Sequence, residues 1–169
     1  MSKVIVRELR DGEEVILRGV FYSAVHDLAA THYTAHQLSA WAPEKYDARS
    51  WTERMRSRRT FVAEEAGEIA GYCALREDGY VDHLYVSGPH ARHGVGTALL
   101  EHLDRVARDS GITALASDVS LCAEPFFVRH GFSVLERRTV VVRGVTMTNK
   151  RMQKDLAESS EAAAPPASR

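Results

Sequence analysis

The segment "VDHLYVSGPHARHGVGTALLEHL", residues 81–103, constrains the fold of this chain more than any other stretch. β-Branched and aromatic residues predict a strand that ends at Val86, and an apolar stripe from residue 95 to 106 predicts a helix. Gly94 and Gly96 open that helix, so its backbone can approach an anion closely. The unpaired amides of the first turn and the positive end of the helix dipole then favour a phosphate. The segment therefore predicts a phosphate-binding loop.

Three alternatives to that hypothesis can be compared on the same residues. Glycines also simply turn chains, so a single Gly-x-Gly is weak by itself. A Rossmann fingerprint needs a third glycine, but position 99 is Leu and no βαβ repeat follows. A P-loop needs Gly-Lys-Ser/Thr, which the segment lacks. Arg92 and His93 are interpreted as adding positive charge to the loop.

The other segments alternate between strand and helix patterns in an order that predicts one α/β domain. The predicted order is a strand, two or more helices, a meander of three strands, a helix, a strand, a short helix and a hairpin that turns at Arg143-Gly144. Residues 1–156 are expected to form this domain, and the small, polar residues 157–169 a disordered tail. A basic run is interpreted as a solvated helix face rather than a substrate patch: Arg49, Arg54, Arg56, Arg58 and Arg59.

Composition excludes several classes of protein. With 22 basic and 23 acidic residues and a net charge of -1, the 169-residue chain has no global field that favours nucleic acid or an anionic membrane. No apolar run reaches the roughly 18 residues of a membrane span, and residues 1–20 do not resemble a signal peptide. Cys73 and Cys122 lack metal-ligand spacing, as do the histidines considered, so free thiols, no metal and a cytoplasmic location are expected.

Two motifs resemble those of the GNAT N-acetyltransferase superfamily. The loop is similar to the pyrophosphate-binding motif Q/R-x-x-G-x-G/A, although Ala91 stands where the family has Gln or Arg, with Arg92 one place later. Downstream, "SLCAEPFFVRHGF" is similar to the family's N-x-x-A-x-x-F-Y-x-x-x-G-F. The resemblance covers roughly residues 3–152. It implies a mixed, mostly antiparallel sheet of about seven strands, flanked by helices and splayed between strands 4 and 5.

The resemblance also implies an acyl donor, acetyl-CoA, and the residues that bind it. Main-chain groups of the fourth strand would bond the pantetheine and the acetyl carbonyl, amides of the loop would hold the pyrophosphate, and the second motif would line the same site. The implied cofactor-binding residues are Leu84, Tyr85, Val86, Arg92, His93, Gly94, Val95, Gly96, Thr97, Ser120, Phe126 and Phe127.

Asp82 is the candidate catalytic base. An amine with a pKa of about 10 must lose a proton before it attacks a thioester, and some family members have a carboxylate at the equivalent place. The alternative is that Asp82 only pairs with an arginine at the sheet surface. Strand alternation places Asp82 and His83 on opposite faces unless a bulge intervenes, and His83 is interpreted as a packed or hydrogen-bonded histidine.

The resemblance leaves the general acid and the acceptor open. Phe127 occupies the position at which the family usually has the tyrosine that acts as the general acid. Trp41, Trp51, Tyr33 and Tyr46 are interpreted as core residues or as walls of an acceptor pocket. The predicted function is transfer of acetyl from acetyl-CoA to a primary amine by direct attack, on a small molecule. The alternatives are a non-catalytic acyl-CoA-binding regulatory module or a protein amine acetyltransferase, and homodimer formation is left open.

Overall fold

The computed structural model describes residues 2–156, which form seven strands and five α-helices. The strands are β1 (Val4–Glu8), β2 (Arg59–Glu65), β3 (Glu68–Leu75), β4 (Val81–Val86), β5 (Ala114–Ser120), β6 (Ser133–Val142) and β7 (Val145–Asp155). The helices are α1 (Glu14–Ser23), α2 (Ala35–Trp41), α3 (Ala48–Arg56), α4 (Val95–Asp109) and α5 (Glu124–Arg129). A π-helical segment, Ala24–Leu28, continues α1, and a short 3-10 segment, Gly88–His90, follows β4. The tail predicted for residues 157–169 lies outside the described residues.

The strands form two antiparallel sheets, β1-β2-β3-β4 and β5-β7-β6. A single parallel bridge between Tyr80 and Ala116 connects them, and the Ala116 amide donates to the Gly79 carbonyl over 3.1 Å. Beyond this bridge β4 and β5 diverge. The structure thus confirms the predicted α/β fold, with seven strands that splay between the fourth and the fifth.

Two hydrophobic cores lie on opposite faces of the first sheet. On one face, Leu99 and Leu103 of α4 pack against Cys73 of β3. On the other face, Leu17 of α1 packs in a cluster with Tyr72. Each fully buried Leu contributes roughly 1.5–3 kcal/mol, so these helices are held to the sheet mainly by apolar burial. No helix of residues 2–156 combines the length and apolar character that crossing a membrane requires.

Side-chain caps determine where α2 and α3 begin. Thr34 accepts the Gln37 amide at 3.2 Å, and the Gln37 side chain accepts the Thr34 amide at 2.9 Å, which forms a capping box at α2. Asp47 accepts the amides of Arg49 and Ser50 at the start of α3. Pro43 follows the end of α2. Together these signals define the short connection at residues 42–47, which walls the site described below.

Candidate active site

A β-bulge in β4 brings two polar residues into one cavity. Leu75 pairs with Val81 and Ala74 pairs with His83, so Asp82 is an extra residue with no partner on β3. As a result, Asp82 and His83 line the same cavity, although simple alternation would place them on opposite faces. A bulge does therefore intervene, which is the condition under which the sequence allows Asp82 and His83 to face the same cavity.

The cavity lined by Asp82 and His83 is called the acceptor cavity below. It has a volume of about 360 Å³ and lies between α1, α3, the α2–α3 connection and β4. Its walls are rich in aromatic and charged side chains: Arg18, Phe21, Trp41, Tyr46, Asp47, Trp51, Arg54, Asp82, His83, Tyr85 and Arg143. Trp41, Tyr46 and Trp51 therefore wall a pocket. Tyr33 instead has a structural role, because its hydroxyl donates to the Thr148 carbonyl at 2.7 Å and accepts the Leu121 amide at 3.0 Å.

Asp82 pairs with an arginine, as the structural alternative predicts, and its role as a base stays a prediction. Its Oδ2 lies 3.4 Å from Nε of Arg58, so an arginine offsets its charge, and 3.8 Å from Nε2 of His83. The same Oδ2 accepts no hydrogen bond from any side chain or amide of residues 2–156. The carboxylate is thus paired with Arg58, and its buried Oδ2 keeps an acceptor position that no group of residues 2–156 uses.

His83 is a buried, neutral histidine. Its Nδ1 lies 3.0 Å from the Tyr72 hydroxyl, as expected for a hydrogen-bonded histidine in a sheet. Burial lowers the pKa of His83 to about 4, and the nearby Asp82 offsets only part of this effect. The imidazole therefore carries no charge at neutral pH.

The interpretation of the basic run as a solvated face holds for the exposed Arg49, Arg54, Arg56 and Arg59, and only Arg58 is partly buried. Arg54 lines the acceptor cavity and Arg58 pairs with Asp82. Arg49 does lie on the solvent side of α3, where it pairs with Glu53 at 2.9 Å. The run of arginines alone could not predict this difference, because Asp82, the partner of Arg58, lies on β4 and not on α3.

A second cavity of about 350 Å³ lies between β4, α4 and α5, and we call it the CoA groove. It shares Trp41 and Tyr85 with the acceptor cavity. Eight of the predicted cofactor residues line it: Leu84, Tyr85, Val86, Arg92, Gly96, Ser120, Phe126 and Phe127. Past the Tyr80–Ala116 bridge, β4 pairs only with β3 among the described strands. Its other edge therefore offers main-chain groups to an extended ligand.

The loop before α4 has the geometry of an anion cradle. Arg92 and Gly94 have positive φ angles of 63° and 82°, and the 15-residue α4 begins at Val95 with the unpaired amides of a first helical turn. At Gly96 an added Cβ would lie 3.2 Å from Cζ of Phe126, so the Phe126 ring would have to shift by a few tenths of an ångström to admit a side chain. These residues fit a pyrophosphate followed by an extended chain along β4.

Glu65 anchors the loop between β4 and α4 by hydrogen bonds to two of its histidines. Its Oε2 accepts hydrogen bonds from Nδ1 of His90 at 2.6 Å and Nδ1 of His93 at 3.0 Å, and these bonds lower the pKa of Glu65. The His93 ring is thus engaged by Glu65 rather than directed only at a ligand. The three side chains place ligand atoms within 4.8 Å of one another, a cluster that could hold a metal ion. The expectation of no metal remains a prediction.

The second motif, residues 120–132, lines the end of the CoA groove, and it contributes no tyrosine hydroxyl to it. Phe127 is buried and packs edge to face on Phe132, with ring centroids 5.0 Å apart. Oγ of Ser120 lies 3.0 Å from Sγ of Cys122, and both residues line the groove. Both cysteines are free thiols, as predicted. The only Tyr that lines the groove is Tyr85, as far as residues 2–156 are concerned.

Comparison with known proteins identifies the family. Residues 29–156 match the acetyltransferase (GNAT) domain, and the chain belongs to this family. It is 33% identical over 149 residues to the uncharacterized N-acetyltransferase YafP of Escherichia coli (strain K12), which spans 88% of this chain and 94% of that protein. The protein is therefore an N-acetyltransferase, as the two motifs predict.

Solved structures share the fold. A GCN5-related N-acetyltransferase from Rhodopseudomonas palustris superposes with a TM-score of 0.88 at 28% identity, over 92% of this chain and 97% of that chain. The PaiA N-acetyltransferase from Thermoplasma acidophilum, solved in complex with coenzyme A, gives a TM-score of 0.74 at 18% identity, over 90% and 99% of the two chains. These likenesses agree with the splayed sheet described above.

Proposed function

We propose that this protein transfers the acetyl group of acetyl-CoA directly to the primary amine of a small molecule. The observation that carries this proposal is that two cavities meet at Trp41 and Tyr85. One cavity contains the Asp82 carboxylate, and the other begins at an anion cradle. An amine in the first and a thioester in the second would meet beside β4, as direct attack requires.

The chemistry of the proposed step assigns a role to each group. An amine with a pKa of about 10 passes a proton to Asp82, directly or through a water molecule. The amine nitrogen then forms a bond to the thioester carbon, and a main-chain amide near Leu84 stabilises the negative carbonyl oxygen, a contribution of roughly 3 kcal/mol. The carbon–sulfur bond breaks and CoA leaves as a thiolate. The nitrogen loses its second proton to water, which leaves a neutral amide, and the thiolate takes a proton from water. The buried His83 stays neutral and so adds no further charge beside Asp82.

Direct attack is preferred to transfer through a cysteine. Cys73 is fully buried, and burial raises the pKa of its thiol, so it is a poor nucleophile. Cys122 lines the groove, but its only hydrogen-bond partner within residues 2–156 is Ser120, which is no base. A small acceptor is preferred to a protein because the acceptor site is a recess walled by five aromatic side chains, Phe21, Trp41, Tyr46, Trp51 and Tyr85.

The test is steady-state kinetics of thiol release from acetyl-CoA with a broad panel of amines. Direct attack predicts intersecting double-reciprocal lines when both substrates are varied, and Cys122→Ala should retain most of the activity. Parallel lines together with an inactive Cys122→Ala variant would replace direct attack by a covalent route. If CoA binds but no amine in the panel releases thiol, the acyl-CoA-binding regulatory module becomes the better description.

A further inference from the structure

Arg18 of α1 is a buried cation that lines the acceptor cavity. The residue is 5% exposed. One guanidinium nitrogen, Nη2, donates to the carbonyl of Pro43, whereas Nη1 is buried and has no hydrogen-bond partner in the described part of the chain. The guanidinium carbon lies 4.4 Å from the ring centroid of Tyr46 and 5.6 Å from that of Trp51. The aromatic walls therefore fix the guanidinium but leave one edge of it without an acceptor.

No acidic side chain of residues 2–156 neutralises Arg18. The two carboxylates of the cavity are already occupied: Asp82 pairs with Arg58, and Asp47 caps α3. Two further cations line the same cavity, Arg54 and Arg143. Burial lowers the pKa of Arg18, and Arg143 adds to this effect, but arginine keeps its charge in proteins. A buried cation without a partner is unfavourable, so this site is complete only when an anion binds.

We propose that the acceptor carries a carboxylate that binds to Arg18, and that its primary amine is directed to Asp82. The acceptor class is thus an amino carboxylate: an amino acid or a close derivative. This inference rests on the proposed function, because it concerns the acceptor of the same reaction. Arg18 and Asp82 line one cavity with opposite charges, which matches the two charges of a zwitterion. The rings of Phe21, Tyr46 and Trp51 suit an apolar side chain on that acceptor.

The chain provides its own probe for binding in this cavity. It contains only two tryptophans, Trp41 and Trp51, and both line the acceptor cavity. Intrinsic tryptophan fluorescence of the CoA-saturated protein therefore reports acceptor binding without any turnover. Titrations use matched pairs that differ in one carboxylate, such as L-phenylalanine and phenethylamine, L-methionine and 3-(methylthio)propylamine, and L-leucine and isoamylamine. An aminoalkylphosphonate tests whether another anion can replace the carboxylate.

At least one carboxylate is expected to bind roughly ten- to a hundredfold more tightly than its carboxyl-free partner, the range of one charge-assisted hydrogen bond. Arg18→Met should abolish that preference, and Arg18→Lys should retain part of it. Arg49→Met is the matched control, because it removes the same charge from the solvent side of α3, where Arg49 pairs with Glu53. This control should leave the preference unchanged.

The inference is wrong if no pair shows a preference for the carboxylate, or if the preference survives in Arg18→Met. Where Arg18→Met fails to fold, Arg18→Lys takes its place, and an undiminished preference in that variant refutes the role of Arg18, because Arg54 and Arg143 line the same cavity. Parallel assays of thiol release separate this inference from the proposed function. Selective carboxylate binding without acetylation would refute the transfer and leave the carboxylate site standing. Acetylation of carboxyl-free amines in preference to amino carboxylates would refute the carboxylate site and leave the transfer standing.

Discussion

The rings of Trp41 and Tyr85 meet edge to face, with centroids 6.3 Å apart, and both side chains line the acceptor cavity and the CoA groove. Trp51 also lines the acceptor cavity but does not reach the groove. The two tryptophans therefore differ in which cavities they line, although both are large and aromatic. This difference allows the two cavities to be tested separately.

Replacing each tryptophan by leucine should have distinct effects. Trp41→Leu is expected to raise the KM for the amine and to weaken CoA binding, each by up to about tenfold, because it removes a wall common to both cavities. Trp51→Leu should raise the amine KM alone. It should also lower the unfolding temperature, since the indole donates to the Glu14 carbonyl at 2.7 Å. Calorimetric titration with CoA measures the difference, and equal weakening in both variants would contradict the shared wall.

Asp82→Asn separates catalysis from pairing. The amide has the same shape but cannot take a proton, so kcat/KM should fall by roughly 10² to 10⁴ while CoA affinity stays unchanged. Arg58→Met is the matched variant, because it removes the partner at 3.4 Å and keeps the carboxylate. If Asp82 is the base, Arg58→Met should retain far more activity than Asp82→Asn. Equal losses in the two variants, or a loss below about threefold in Asp82→Asn, would return Asp82 to a structural role.

Gly96→Trp should close the CoA groove. An added Cβ at this position already lies 3.2 Å from the Phe126 ring, so an indole would have to occupy the space between β4 and α5. CoA affinity should fall sharply, with the fold retained. Gly19→Trp is the control, because Gly19 is exposed on α1 and an added Cβ there meets nothing within 4 Å. Unchanged CoA affinity in a folded Gly96→Trp variant would move the pyrophosphate site elsewhere.

The Glu65 anchor predicts a specific dependence on pH. Hydrogen bonds from His90 and His93 lower the pKa of Glu65 below its ordinary value of 4.5. A lowered folded pKa stabilises the protein above the ordinary value, and this contribution is lost as the pH falls through the folded pKa. Glu65→Gln should therefore unfold at a lower temperature than the wild type at pH 7, and the gap should narrow in acid.

Glu68→Gln is the control for this experiment, because Glu68 is exposed and lies 3.4 Å from the other nitrogen of His90. It should alter the unfolding temperature much less at every pH. A gap between wild type and Glu65→Gln that widens in acid would contradict the anchor. Thermal unfolding followed by circular dichroism from neutral pH to below the ordinary pKa of Glu65 provides the measurement.

Local patterns predicted the elements but not the contacts between them. The stripe of α4 and the turn at Arg143-Gly144 depend on neighbouring residues, and the structure confirms both, with positive φ angles of 47° and 78° at the turn. The bulge at Asp82 depends on the register against β3, which no pattern within β4 reveals. The loop anchor joins Glu65 to histidines 25 and 28 residues away.

The buried position of Arg18 could not be predicted from the sequence, for a similar reason. Arg18 lies on α1 beside buried apolar neighbours, Leu17 and Val20, and a pattern of apolar residues does not show that a cation is buried among them. Its burial depends on the α2–α3 connection, whose Pro43 carbonyl accepts its Nη2. Long-range packing of this kind decides whether a charged side chain faces water or a cavity. A charge pattern therefore predicts a helix face better than it predicts a binding residue.

Phe127 provides the last test, because its ring lines the CoA groove and it occupies the motif position to which the resemblance assigns a tyrosine. A CoA thiol resembles an ordinary thiol with a pKa near 8.5, so its thiolate can leave at about pH 7 to 8 and take a proton from water. A general acid is then helpful but not obligatory. Phe127→Tyr should accordingly change kcat by less than about tenfold, a smaller effect than that of Asp82→Asn.

The conservative variant Phe127→Leu controls for packing, since the ring also contacts Phe132 in the core, and it should lower the unfolding temperature without introducing a hydroxyl. Single-turnover rates at saturating acetyl-CoA compare the three proteins. A hundredfold or larger gain in Phe127→Tyr would show that the wild-type site lacks an acid that it needs. The chain would then be a scaffold that binds acyl-CoA with little turnover, because the leaving thiolate could not be protonated efficiently by water alone.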